Sequence, residues 1–150
     1  MEAAISAAKK AKAKGDYAIG AVIIKDNEVL AEGINRVRID QDPTHHGEIV
    51  AIRKAAKILG RRHLTDCILY TTHEPCPMCL GAMLFARMEG LVFGAKIIDM
   101  KKYRVKTNAN EWSWATIDVP ARIIVKKSSN KMKVIEGFMR EECIELFHNS

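Results

Sequence analysis

The sequence has few aromatic residues and few cysteines, and it has no long apolar run. Aromatic residues make up 6% of the chain, and four cysteines occur in 150 residues. No stretch approaches the roughly 18–20 apolar residues that cross a bilayer, and no basic start leads into the apolar segment of a signal peptide. Four cysteines do not make a disulfide framework. We therefore expect a cytoplasmic protein with no membrane association.

Internal repeats, low-complexity linkers and a second C-x-x-C motif are also absent from the sequence. The length is typical of one domain. Hydrophobic residues make up 48% and charged residues 28%, which is ordinary for a globular protein with a core. We expect residues 1–150 to form a single domain.

Positive charge is concentrated in one part of the chain. The formal net charge is +6, and residues 96–133 carry ten basic and three acidic side chains. A basic stretch of this kind is typical either of nucleic-acid contact or of a solvated face. No aromatic residues alternate with the lysines, and this favours the solvated face.

Two short motifs carry metal-binding chemistry. His46 lies two residues before Glu48, and Cys76 and Cys79 form a C-x-x-C pair flanked by prolines about thirty residues later. One histidine and two cysteines supply three zinc ligands, and a catalytic zinc site keeps its fourth position open for water. Glu48 is not needed as a ligand and is free to carry protons. The pattern predicts one catalytic Zn²⁺ per chain.

A C-x-x-C pair also occurs in redox proteins and in structural zinc sites. A structural site needs four protein ligands, and a redox pair leaves His46 and Glu48 without a purpose. The other two cysteines, Cys67 and Cys143, stand alone in apolar segments and are expected in the core. The catalytic zinc site is therefore the favoured interpretation.

Hydrophobic periodicity and turn residues predict alternating helices and strands. The predicted elements are a helix over 2–14, a hairpin of Tyr17–Lys25 and Val29–Gly33, a helix over His46–Leu59 capped by Thr44, a strand at Ile68–Thr72, a helix over Cys76–Met88, a strand at Leu91–Ala95, a short helix near Pro120, a strand at Lys131–Ile135 and a closing helix over Arg140–Phe147. This alternation indicates an α/β fold in which the two metal-bearing helices share one face of the sheet and direct their N-termini at the zinc.

Several stretches together resemble the cytidine deaminase superfamily, in its nucleobase and tRNA adenosine deaminase branch. They include Gly33 with Asn35, the His46–Glu48 motif, Glu74-Pro75-Cys76-x-x-Cys79, Val92–Ala95, and Glu136–Cys143. The resemblance implies a three-layer α/β/α fold with a five-stranded mixed sheet and helices on both faces. It also implies a homodimer. The segment after Ala95 departs from the tRNA adenosine deaminase pattern, and Gly47 is similar to the yeast-type cytosine deaminases.

Five residues are expected near the substrate. The resemblance implies that Asn35 holds a polar edge of a base, that the backbone N–H of Gly47 adds to it, and that Glu74 lies beside the amine site. Trp112 and Trp114 are candidate pocket aromatics, and core packing is the alternative for both.

The resemblance implies zinc-dependent hydrolytic deamination that releases ammonia. The expected substrate is a small molecule, namely a free nucleobase or related aminated heterocycle of the guanine, cytosine or isocytosine type. The alternative is a tRNA wobble adenosine deaminase that converts adenosine to inosine, which the closing helix and the basic charge support. A third class, a zinc-stabilised binding module, leaves Glu48 without a role.

Overall fold

The computed structural model describes residues 1–107 and 117–148. Its elements, in chain order, are α1 (Glu2–Ala13), β1 (Gly20–Lys25), β2 (Glu28–Ile34), α2 (Val37–Asp40), α3 (Gly47–Leu59), β3 (Ile68–His73), α4 (Pro77–Phe85), β4 (Gly90–Ala95), α5 (Ile97–Thr107), α6 (Ala121–Lys127), β5 (Lys133–Glu136) and α7 (Arg140–His148). Within these two ranges, no helix has the length and apolar character of a membrane span.

The strands form one mixed sheet in the order β2-β1-β3-β4-β5. β1 runs antiparallel to both β2 and β3, whereas β4 is parallel to β3 and to β5. All six residues of β4 are buried, as expected for a strand covered on both faces. The predicted five-stranded mixed sheet and the parallel β3–β4 pair are confirmed.

Helices cover both faces of this sheet. On one face, side chains of β1, β3 and β4 pack in one core cluster with residues of α3, α4 and α6. On the other face, glycines allow helices to approach closely: a Cβ on Gly20 would lie 2.3 Å from Ala4 O in α1, and a Cβ on Gly94 would lie 2.2 Å from Cys143 Sγ in α7. Met100 of α5 packs beside Cys143. The predicted α/β/α layering is therefore observed.

Local details differ from the sequence predictions. The first strand begins at Gly20 rather than Tyr17, because Ile19 N–H donates to Tyr17 O at 2.7 Å and the chain turns there. Thr44 was expected to cap α3, but the cap position is His46. The Thr44 hydroxyl and N–H instead bind Asp42 Oδ1, each at 2.7 Å. Helices α2 and α5 were not predicted.

Gly33 determines how closely α3 approaches the sheet. A Cβ at this position would lie 2.0 Å from Gly47 O and 2.6 Å from Ala51 N, so no larger residue fits without separating α3 from β2. The start of α3 therefore lies directly against the end of β2. This contact brings the residue before α3, His46, close to the residue after β2, Asn35.

Candidate active site

The predicted metal ligands lie at the N-termini of α3 and α4. His46 and Cys76 are the N-cap residues, both with extended backbone and with no side-chain capping bond. Pro77 occupies the start of α4, where its missing N–H costs nothing, and Cys79 follows within the first turn. Both N-cap side chains are therefore available for a metal.

The three ligand atoms form a compact set. His46 Nδ1 lies 3.6 Å from Cys76 Sγ and 3.5 Å from Cys79 Sγ, and the three atoms all lie within 4.8 Å of one another. Tetrahedral zinc with bonds of about 2.0–2.1 Å to nitrogen and about 2.3 Å to sulfur separates two such ligands by roughly 3.6 Å. One nitrogen and two sulfurs at this spacing fit Zn²⁺, in agreement with the sequence prediction.

The two thiols respond in opposite ways to their surroundings. The hydrogen bond from Cys79, supported by His46, lowers the pKa of Cys76 to about 4. The same bond to Cys76, together with burial and the charge of Glu48, raises the pKa of Cys79. Burial alone would lower the pKa of His46, but the contact with Cys76 and the charge of Glu48 outweigh it and raise the pKa. Zinc binding requires both thiols to be deprotonated.

Glu48 lies beside this set without belonging to it. Its side chain is buried, with 3% exposed, and burial raises the pKa of its carboxyl. Oε1 accepts a hydrogen bond from Thr71 Oγ1 at 3.2 Å, and Oε2 lies 3.6 Å from Cys79 Sγ. A carboxylate that takes up a proton readily is thus held at the edge of the ligand set. Sequence reasoning missed Thr71, because its hydroxyl meets Glu48 only through the packing of α3 on β3.

Asn35 and Gly47 meet beside the start of α3. Asn35 is buried, with 1% exposed, and a Cβ built on Gly47 would lie 3.4 Å from Asn35 N and from Ile19 O. Asn35 Nδ2 donates to Asp16 Oδ1 at 2.7 Å. Asp16 lies just after the helix predicted over residues 2–14. No local signal identifies its role, because its partner is nineteen residues away.

Glu74, Trp112 and Trp114 are the other residues predicted to lie near the substrate. The Glu74 carboxylate accepts the backbone N–H of Ile97 at 3.0 Å and that of Ala121 at 2.8 Å. Its side chain thus joins the starts of α5 and α6, and a substrate role for it stays a prediction. Trp112 and Trp114 lie outside the described residues.

Comparison with known proteins places these residues in a family. The family profile of the cytidine and deoxycytidylate deaminase zinc-binding region matches residues 1–95. A guanine deaminase of Bacillus subtilis is 55% identical over 80 residues, which is 53% of this chain and 51% of that protein. The matched part thus spans about half the length of that relative. A tRNA-specific adenosine deaminase of Buchnera aphidicola is 34% identical over 146 residues, covering 97% of this chain and 82% of that protein.

Solved structures of both kinds of deaminase, those of guanine and those of adenosine in tRNA, are also similar to this chain. A structure from work on tRNA:A34 deaminases has a TM-score of 0.80 at 31% identity and covers 97% of this chain and 96% of its own. A guanine deaminase structure from Bacillus subtilis has a TM-score of 0.65 at 38% identity, and the match covers 83% of this chain and 86% of that one. The matched region contains the whole ligand set and Glu48, and the chain therefore belongs to the zinc-binding cytidine and deoxycytidylate deaminase family.

Proposed function

We propose that this protein hydrolytically deaminates a free nucleobase or a related aminated heterocycle. The reaction replaces an exocyclic amine by a carbonyl oxygen taken from water and releases ammonia. The observation that carries the proposal is the buried Glu48 carboxylate at the edge of the His46, Cys76 and Cys79 set. A structural zinc site gives such a carboxylate no task.

Each protein group has a chemical role in this reaction. His46, Cys76 and Cys79 would hold zinc, which supplies a Lewis acid that activates water at neutral pH. Glu48 takes one proton from that water and passes it to the ring nitrogen. It then takes the second proton from the newly added hydroxyl and passes it to the departing amine, which leaves as ammonia. Burial raises the pKa of the Glu48 carboxyl. The Thr71 hydroxyl keeps one oxygen, Oε1, in place, so Oε2 is the one left to carry the proton.

Two observations support a free base over a nucleotide in RNA. Identity to the Bacillus guanine deaminase reaches 55% over the matched 80 residues, against 34% for the Buchnera tRNA deaminase over nearly the whole chain. Asn35 also brings a buried amide next to Gly47. Buried polar groups of this kind recognise the edge of a small heterocycle.

A tRNA wobble adenosine is the second candidate, and a specific surface favours it. A cleft of about 520 Å³ lies beside His45 and Arg36, and its lining includes Lys10, Lys14 and Arg53. Basic side chains of this kind bind phosphates. Nearly full-length identity to tRNA-specific adenosine deaminases supports the same candidate.

An ammonia-release screen over purines, pyrimidines and triazines tests the proposal, with tRNA assayed in parallel for inosine. We expect ammonia from at least one free base with zinc-loaded protein and none with Glu48→Gln. Inosine formation in tRNA without ammonia from any free base would replace the first candidate by the second.

A further inference from the structure

Asp16 is a buried carboxylate with both oxygens engaged. Its exposed fraction is 6%. Oδ1 accepts Asn35 Nδ2 at 2.7 Å and Tyr17 N–H at 2.8 Å, and Oδ2 accepts the backbone N–H groups of Arg38 at 2.8 Å and Ile39 at 3.0 Å. An ionised carboxylate only accepts hydrogen bonds. The amide of Asn35 must therefore face Asp16 with its NH₂ group.

This orientation leaves the other half of the Asn35 amide turned away from Asp16. Asn35 Oδ1 is buried and has no hydrogen-bond partner among the described residues. The backbone N–H of Asn35 donates to Ile19 O at 3.0 Å, which fixes the backbone there. This backbone lies against Gly47, the residue between His46 and Glu48. A buried acceptor without a partner costs free energy unless something else donates to it.

We propose that Asp16 is a positioning residue that fixes the Asn35 amide so that Oδ1 is the acceptor offered to the substrate. The substrate edge that meets Asn35 must then carry an N–H donor. The inference rests on the proposed function and specifies its substrate class: an aminated heterocycle with a ring N–H or a second amino group, beyond the amine that leaves.

This requirement separates free bases from adenosine in RNA. A free base keeps an N–H at the ring nitrogen that carries the sugar in a nucleoside, and guanine has a further N–H at N1. The base edges of adenosine in RNA offer one donor group, the 6-amino group, and that group is the one removed. A site built to pair with an N–H rejects an analogue that lacks it, because the buried acceptor is then left unpaired.

The test compares a free base with its N-methyl derivatives, each ring nitrogen being methylated in turn. In the zinc-loaded wild-type enzyme, methylation at one position should lower kcat/KM by at least about 10-fold. In Asp16→Ala the Asn35 amide is free to turn. The ratio of kcat/KM for the free base to kcat/KM for its methyl derivative should then fall to within about three-fold of unity. Zinc content should stay at one per chain. Asp99→Ala is the matched control, because Asp99 also accepts a backbone N–H, from Lys96, and binds Arg140, but does so at the start of α5. Its ratio should equal that of the wild type.

A second measurement needs neither turnover nor a variant at Asp16. In the zinc-loaded wild-type protein, one side-chain amide proton of Asn35 should exchange slowly with solvent, with the signal assigned by its loss in Asn35→Ser. An unchanged methylation ratio in folded, zinc-loaded Asp16→Ala, or unprotected Asn35 amide protons, would overturn the role of Asp16. Failure of the wild type to release ammonia from any free base would instead reject the proposed function, while the amide measurement would still test Asp16.

Discussion

In residues 1–95 the metal-ligand set and Glu48 are buried or partly buried and lie close together, whereas two charged pairs after Ala95 are partly exposed. His46, Cys76, Cys79 and Glu48 lie within one cluster. Beyond β4, Lys96 pairs with Glu136 at 2.8 Å and Lys101 with Asp118 at 2.7 Å, around a cavity of about 300 Å³.

The contrast separates two kinds of constraint. A metal set and its proton carrier tolerate little change, because each atom must lie within bonding distance of the others. Exposed ion pairs contribute roughly 0–1 kcal/mol each and are easily replaced. The ligand set and Glu48 thus belong to the first region, and the exposed ion pairs belong to the second. The matched family region also ends at residue 95.

The largest effect is expected from removing a zinc ligand. His46→Ala, Cys76→Ala and Cys79→Ala should each reduce zinc from one per chain to a small fraction and abolish turnover. Because zinc binds the folded state, they should also lower the thermal midpoint. Cys67→Ala, in the core but outside the ligand set, is the control and should keep its zinc in elemental analysis. Normal zinc in all three ligand variants would contradict the site.

The next largest effect concerns Glu48, the proposed proton carrier. Glu48→Gln keeps the size of the side chain and removes its ability to take up a proton. We expect normal zinc content and a fall in kcat of at least about 10²-fold, measured by ammonia release. Activity within a few-fold of the wild type would assign the proton transfer to another group.

A smaller effect is expected where the two regions are joined. The Glu74 carboxylate accepts hydrogen bonds from the backbone N–H groups of Ile97 and Ala121. Glu74→Gln places an NH₂ group against one of these two donors. Loss of a buried acceptor should lower the free energy of unfolding by about 1–3 kcal/mol, as measured by denaturant titration. Glu136→Gln is the control, since its partly exposed pair with Lys96 should change it by less than about 1 kcal/mol. Equal losses would show that Glu74 does not tie α5 and α6 to the sheet.

The smallest effect is expected in the basic region. Lys101→Gln, Lys126→Gln and Lys127→Gln should change KM for a free base by less than about two-fold, and salt should have little influence, because screening acts weakly on a neutral ligand. Tight tRNA binding that weakens steeply with salt, and that each of these variants reduces, would show instead that these lysines contact phosphates. Filter binding at several salt concentrations distinguishes the two results.

Local spacing made the metal site predictable. The two cysteines are three positions apart at a helix start and so lie on one helix face. His46 and Glu48 are two apart and do not share a face, but their order before the C-x-x-C pair made the motif recognisable. Hydrophobic periodicity likewise predicted the hairpin, the parallel β3–β4 pair and the closing helix. These features depend on neighbours in sequence, and the sequence by itself determined them.

Only the tertiary structure decided which residues support that site. Asp16 meets Asn35, and Thr71 meets Glu48, across separations of 19 and 23 residues. Sequence patterns do not record such contacts, since they arise only when segments distant in sequence pack together. α5 was likewise not predicted, because its start is stabilised by Glu74, whose carboxylate binds Ile97 N–H from 23 positions earlier in the chain. Spacing along the chain determined the ligands, and packing between distant segments determined how they are held.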